Sequence, residues 1–510
     1  MLGARTHRRI YILLLILLGG TMVTSTWAAN LIWVLLGANW LFEGGFQAKW
    51  ERFRSSRLLH AFLALVAIHL LGMLWTHNLP NGLNEMRQLL PLLVVPLVAL
   101  TSQPLRGRAR QTVLALYAGT VLVVSVIGTV RMLSIPDLPY RDAIPYISHI
   151  RFALNCCMVI YLCVAAWRHA SVPLRIALAV VVLWMLAFLL LLRSYTAIAI
   201  LLVVTLVLAL CYYRRWYYIA AWLAVVALLS AMVLRHVAEY YRPVPMASTP
   251  LKMHTVNGRP YEHACDRLME NGNYVNNYIC SEELEREWSR RSPVALDAPT
   301  PNGYSVRPTL IRYLNALGLT KDSLGIAQLS ADQVSEIEQG IANPVYSHGS
   351  VAKKMVYVML FERECYIHTH AVKDFTMLQR LEFWTASMHI VARSPWIGVG
   401  TGDVDDQLAS ELQAMHSELS GKHPGVHNQY IYLLLAFGLL GTLLVAFFFL
   451  RAAPALRRQS PLWIAWLLTI LVSCLTECTL GTLAGILFST YFLAFRDSRP
   501  VPSSLSKNDK

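Results

Sequence analysis

Long apolar runs separated by short basic loops dominate this chain. A membrane-crossing helix needs about 20 mainly apolar residues, or about 17 at the short end. Runs of this kind lie near 10–28, 30–43, 58–76, 83–101, 112–132, 152–167, 175–192, 195–212, 217–235, 426–450, 461–476 and 478–495, twelve in all. The run 30–43 is short enough to be one arm of a hairpin with the first, and 195–212 starts so soon after its predecessor that the two form a tight pair. No small-x-small cleavage site leads from the first run into a soluble segment, so that run reads as a helix and not as a removed leader. Between the ninth and tenth runs lies a polar insertion, 236–425, of about 190 residues, enough for a small domain. Its patterning predicts helices at 281–291, 309–318, 331–342, 352–366 and 376–393, with Pro/Asn/Gly-rich stretches at 243–260 and 293–308 and no long alternating strand. The expected fold is therefore an all-α polytopic membrane protein: about twelve transmembrane helices and one large, mainly helical loop domain. Its parts are a bundle of nine helices (1–235), the loop (236–425), three further helices (426–496) and a tail (497–510).

Composition supports this and excludes two alternatives. The 510 residues are 56% hydrophobic and 15% charged, against about 25% charge in a soluble domain; disorder is excluded on the same grounds. The net charge of +14 opens a nucleic-acid reading, which the placement of the basic residues closes. Arg5, Arg8 and Arg9 precede the first run. Lys49, Arg52, Arg54 and Arg57 follow, then Arg106, Arg108 and Arg110, then Arg168 and Arg175, then Arg214 and Arg215, then Arg451, Arg457 and Arg458, and finally Arg496, Arg499, Lys507 and Lys510. With twelve alternating helices these all fall on one side, and the opposite short loops hold only Arg131, Arg141, Arg151 and Arg193. That is the positive-inside pattern, with both termini cytoplasmic and the insertion outside. The expected surroundings are membrane lipid, with no nucleic-acid partner.

The nine cysteines show no CxxC or Cys/His cluster with metal spacing, so no metal site is expected. Cys265, Cys280 and Cys365 lie in the insertion, where an oxidising compartment would allow a Cys265–Cys280 bridge; three cysteines leave the pairing open.

The stretch 380–442 is richest in chemistry. Arg380 and Trp384 share one helix face, and Pro395 ends that helix. Gly398, Gly400 and Gly402 form a flexible turn whose amides can approach an anion. His423, His427, Asn428 and Gln429 stand directly before the tenth helix. An imidazole is the natural base for a hydroxyl nucleophile, and the two amides can bind a sugar or orient the ring. Arg193 sits in the tight turn between the seventh and eighth helices. Arginine at membrane depth is costly and marks function unless it snorkels to the headgroups; here it can hold a pyrophosphate through paired hydrogen bonds. Arg151, at the outer start of the sixth helix, is similar, and Glu477, between the last two, can pair with such an arginine or line the cavity. Gly438 and Gly441 read as close helix packing, and Glu85 with Arg87 as an ordinary interface pair.

The order R-x-x-x-W, P-x-x-G-x-G-x-G-D, H-x-x-x-H-N-Q-Y and then F-G-L-L-G resembles the O-antigen ligase and polymerase superfamily. These are bacterial inner-membrane glycosyltransferases with about a dozen helices and one long periplasmic loop before the histidine motif. The resemblance implies an inverting transfer that uses no metal, nucleotide sugar or other cofactor. The donor is a glycan on undecaprenyl pyrophosphate. The acceptor is a hydroxyl of lipid A–core in ligases, of another glycan in polymerases, or of protein in O-oligosaccharyltransferases. It also implies that His427, the histidine followed by Asn, activates or positions the acceptor while Arg193 and Arg380 neutralise the diphosphate. Arg151, His423, Asn428, Gln429, Glu477, Gly398 and Gly400 are the expected substrate contacts. Two motifs depart from the common form: His423 stands four before His427 where many members have H-x-H-N, and Arg193-Ser194 reverses the usual Ser-Arg. The leading expectation is a lipid-linked glycan ligase, then a polymerase or protein O-oligosaccharyltransferase. A lipid-linked sugar transporter is the reading from another class; it lacks an inverted repeat and charges deep in several helices.

Overall fold

The structure is a computed structural model. It describes residues 3–496 apart from 136–137, 214–215, 244–250, 265–266, 302, 304, 370–371, 374, 422–424 and 457–458; the expected tail 497–510 lies outside the described residues. Among the described residues, eight helices are long and apolar enough to cross a membrane: Ala4–Thr24, Arg57–Trp75, Leu79–Thr101, Gly107–Ser134, His149–Trp167, Val172–Leu191, Trp216–Tyr240 and Gln429–Pro454. The remaining apolar runs form shorter helices, Thr26–Phe42, Tyr195–Cys211, Pro461–Ser473 and Leu483–Phe495. Local chemistry explains the shortening of the last one. Thr482 is extended and its hydroxyl caps the Gly485 amide, so helix starts only at Leu483. This leaves residues 474–482 as a connection whose only helical turn is the 3₁₀ turn Thr479–Gly481.

Large apolar side chains stay exposed on these helices, Leu133 at 83% and Leu183 at 66% among them. An apolar exterior of this kind suits lipid and not water. The chain is a multi-pass membrane protein.

The chain divides into two compact units, Met1–Trp222 with Arg380–Lys510, and Leu223–Gln379. The insertion expected at 236–425 is thus split: its last part, from Arg380, folds with the apolar helices.

In the first unit, helix Arg57–Gly72 packs on Gln429–Leu456, Leu79–Thr101 on Leu483–Tyr491, and His149–Trp167 on both Val172–Leu191 and Pro461–Ser473. Three arginines from the expected cytoplasmic edge cap the carbonyl end of Leu79–Thr101. Arg496 donates to the carbonyls of Leu100 and Ser102, Arg52 to Thr101, and Arg8 to Gln103 and Pro104. The helix end that would otherwise leave orphan carbonyls is closed by arginines of the basic loops.

Helix Gln429–Leu456 is broken at Gly438, which has φ 61° and ψ −167°. The segment after Pro395 fills the break. Val399 and Gly400 donate to the carbonyls of Leu435 and Ala436, and Leu439 and Leu440 donate to those of Pro395 and Trp396. Non-helical backbone at membrane depth is tolerated only when protein satisfies it in this way. Gly438 is therefore a backbone break, where the sequence suggested simple close packing; Gly441 does pack closely, on Ile68. A Cβ at 438 would lie 2.3 Å from the Trp396 carbonyl carbon, in a region of φ/ψ reserved for glycine at about 1–3 kcal/mol. Gly438→Ala is expected to lower the unfolding temperature in detergent more than Gly119→Ala, since a Cβ at Gly119 meets nothing within 4 Å.

The second unit is a set of short helices around Leu284, Trp288, Leu310, Tyr313, Leu314, Ile326 and Ile337. A two-residue hairpin, Met269–Glu270 with Asn273–Tyr274, places Glu270 against Arg312, which holds it through two bonds of 2.9 Å. Lys321 donates to Asn315 Oδ1 at 2.8 Å, and burial pulls its amine down to about 7. Cys280 and Cys365 carry free, buried thiols, and Cys265 lies outside the described residues.

Candidate active site

All of the site's contacts lie within the first unit. The helix Thr376–Arg393 carries Arg380 and Trp384 one turn apart. Trp384 Nε1 donates to the Val426 carbonyl at 2.8 Å, and Arg380 Nη2 pairs with Glu477 Oε1. The R-x-x-x-W spacing thus lets one helix face grip the backbone beside His427 and the acid opposite it.

Asn428 and Gln429 are clamps. Asn428 Oδ1 accepts the amides of Tyr430 and Ile431, capping the helix that follows, and its Nδ2 donates to Leu475 O at 3.0 Å. The Gln429 amide donates to Cys474 O, and its Oε1 accepts the Leu480 amide at 3.0 Å. Together they pin the 474–482 loop against the histidine segment, which is why Glu477 faces His427. Asn428 spends both ends of its side chain on protein, so its observed work is positioning.

His427 has a left-handed backbone, φ 48°. Its Nδ1 lies 3.6 Å from Glu477 Oε2, with the ring 42% exposed and the carboxylate only 8%. Gly425 leaves room on the other side of the ring, since a Cβ there would sit 3.0 Å from Nε2. With Nδ1–H turned toward the carboxylate, Nε2 holds the lone pair, the arrangement a base requires.

Arg151 comes from the first turn of helix His149–Trp167. It reaches Glu477 Oε2 at 3.4 Å, Cys478 O at 3.1 Å and Thr482 Oγ1 at 3.2 Å. Burial alone would raise the Glu477 carboxyl, but the His427 ring, Arg151 and Arg380 outweigh it and hold it below its ordinary value. Two guanidiniums against one carboxylate leave an excess positive charge. Arg380 Nε is buried with no hydrogen-bond partner, so one of its donors is unspent. Arg151, His427 and Glu477 line a cavity of about 590 Å³, with Tyr146, Ser148 and Thr482 on the same wall. A site with surplus cation and a histidine on the cavity wall can bind an anionic group and take a proton from a hydroxyl.

Three expected residues stand elsewhere. Arg193, also left-handed at φ 49°, has its guanidinium 5.2 Å above the Tyr140 ring. It is not among the Glu477 partners or the cavity lining formed by the described residues. Gly398 and Gly400 do not offer their loop's amides to an anion: Val399 and Gly400 donate into the break of helix Gln429–Leu456, Thr401 donates to Gly72 O, and Gly402 to Thr76 Oγ1. Their lack of side chains allows close approach to that helix and to the Gly72–Asn78 backbone. His423 lies outside the described residues.

Sequence reasoning missed Thr482 and His149. Tyr140 packs edge-on to His149 at 5.8 Å, and His149 is within electrostatic range of Glu477 and Arg380. The only signal was proximity to Arg151 in the same short segment. Among the described residues, no group of three or more His, Cys, Asp or Glu gathers in a metal-binding arrangement.

Residues 333–446, which include Arg380 and His427, match the family model described as O-antigen ligase. No curated protein matches the chain.

Proposed function

We propose that this chain, whose residues 333–446 match the family model described as O-antigen ligase, transfers a glycan from undecaprenyl pyrophosphate to the hydroxyl of a lipid A–core acceptor. The reaction takes place at the periplasmic face of the bacterial inner membrane. The observation that carries this reading is the convergence of Arg151, Arg380 and His427 on Glu477 beside one cavity.

In this reading His427 Nε2 accepts the acceptor proton as the hydroxyl oxygen bonds to the anomeric carbon from the face opposite the leaving group. The bond from that carbon to the phosphate oxygen breaks and its electron pair leaves with undecaprenyl diphosphate. The donor's negative charge is met by Arg380 and Arg151, whose surplus over Glu477 favours the departing diphosphate. Arg193, on Tyr140, is a further cation for the lipid-linked diphosphate. The twelve-helix topology, with cytoplasmic termini and a periplasmic insertion, belongs to the same proposal and rests on the arginine pattern.

Purified protein in liposomes, given undecaprenyl-diphosphate glycan and rough lipopolysaccharide, is expected to produce capped lipopolysaccharide. Elongated lipid-linked glycan without capping would replace ligase by polymerase. Movement of the donor across the bilayer with no new glycosidic bond would overturn the enzymatic reading in favour of transport.

A further inference from the structure

A second cavity of about 150 Å³ lies beside the first and shares Gly425, Val426, Cys478 and Gly481 with it as a common wall. The catalytic reading leaves it unused. Its lining combines the apolar side chains of Leu89 and Leu92 with His69, Glu85, Asp405, Gln429 and Tyr432.

Several of these polar groups are buried with capacity to spare. His69 is 3% exposed, and its Nδ1–H donates to Leu65 O at 2.7 Å, which leaves Nε2 as an acceptor with no partner among the described residues. Gln429 is 4% exposed; its Oε1 is taken by Leu480, and its Nε2 has no partner among the described residues. The Tyr432 hydroxyl is buried and has no hydrogen-bond partner. Glu85, expected to pair with Arg87, does not: Arg87 donates to Asn84, and Glu85 lines the cavity with Asp405. A buried polar atom left unsatisfied is costly and rare, and here it shares one cavity with further polar groups that have no protein partner among the described residues.

The chemistry of the lining selects that occupant. Two carboxylates disfavour an anion. A divalent cation is disfavoured because His69, Glu85 and Asp405 form no metal-binding group among the described residues. Residues that can accept (Glu85, His69) and residues that can donate (Gln429, Tyr432) line the same cavity, and a ring bearing several hydroxyls satisfies both kinds at once. The leucines supply an apolar face for its C–H groups. A cavity of about 150 Å³ holds a benzene ring, so it has room for no more than a single sugar ring. We propose that this cavity is a subsite for a single pyranose ring of one of the two glycan substrates, a proposal that rests on the glycosyl-transfer reading above.

The test measures KM for donor and for acceptor in the liposome assay with Tyr432→Phe and Glu85→Gln. Tyr432→Phe removes only a hydroxyl that no protein group uses, so folding stability should be kept or raised. Each variant is expected to raise KM for one substrate at least tenfold. A rise for rough lipopolysaccharide assigns the acceptor's sugar, and a rise for the lipid-linked glycan assigns the donor's. Unchanged KM values in both variants, as expected if the cavity holds only water, overturn the subsite, as does a loss confined to kcat. These outcomes leave the transfer reading standing. If the wild-type protein makes no glycosidic bond, that reading fails and the subsite fails with it.

Discussion

Replacing Glu477 with alanine should destabilise the folded protein by about 3–5 kcal/mol, the usual cost of breaking a buried ion pair from one side. Transfer should be lost with it. The carboxylate is 8% exposed and is shared by Arg151, Arg380 and His427. Without it two guanidiniums stay buried with their charge uncompensated. Arg151 keeps Cys478 O and Thr482 Oγ1, so Arg380, whose only hydrogen bond among the described residues is to Glu477, should account for most of the loss. The Glu477→Ala/Arg380→Ala double variant should therefore be more stable than the sum of the two single losses, as measured by thermal unfolding in detergent. Strict additivity would show that the pair is not coupled. The pH dependence follows from the lowered carboxyl. A group whose folded pKa is depressed contributes stability that is fully present above its ordinary value of 4.5 and is lost as pH falls through the folded value. From pH 5 to 8 this site should therefore contribute a constant amount, with the loss confined to stronger acid.

His427→Ala should leave insertion and unfolding temperature close to wild type while lowering transfer by about 10²–10⁴-fold, the range expected for loss of a general base. The ring is 42% exposed and its approach to Glu477 is longer than a hydrogen bond, so little folding energy depends on it. The left-handed backbone at φ 48° complicates an alanine result. Asparagine tolerates that conformation better than most residues, so His427→Asn separates loss of the base from backbone strain. Both variants should be equally inactive across pH 6–9. Recovery of activity in either at high pH, where hydroxide can replace a base, would support the assignment; wild-type rates at neutral pH would end it.

The apolar helices were legible because their signal is local. A run such as 107–134 declares itself through consecutive residues, and the helices Ser281–Arg291 and Thr376–Arg393 occupy the predicted spans. Helix ends were less legible. The run expected from 478 becomes α-helical at Leu483, where one threonine hydroxyl caps it. The Gly398–Gly402 loop was misread for a related reason. Glycine spacing signals close approach but not what is approached, and its partner is a helix opened at Gly438, 40 positions or fewer along the chain but invisible to periodicity.

The sequence by itself determined a largely helical membrane chain, the clustering of basic residues in alternate short loops, and the residue types from which a site could be assembled. Those follow from apolar run length and charge order, which are properties of neighbouring residues. Only the tertiary structure decided which of those residues meet. Arg151 and Glu477 are 326 positions apart, and Arg380 and Glu477 are 97 apart; their union depends on helix packing and on the Asn428 and Gln429 clamps. The same packing set Arg193 on Tyr140 and left His69, Glu85 and Tyr432 around a cavity, because burial and hydrogen-bond satisfaction are settled by the whole fold and not by any one segment.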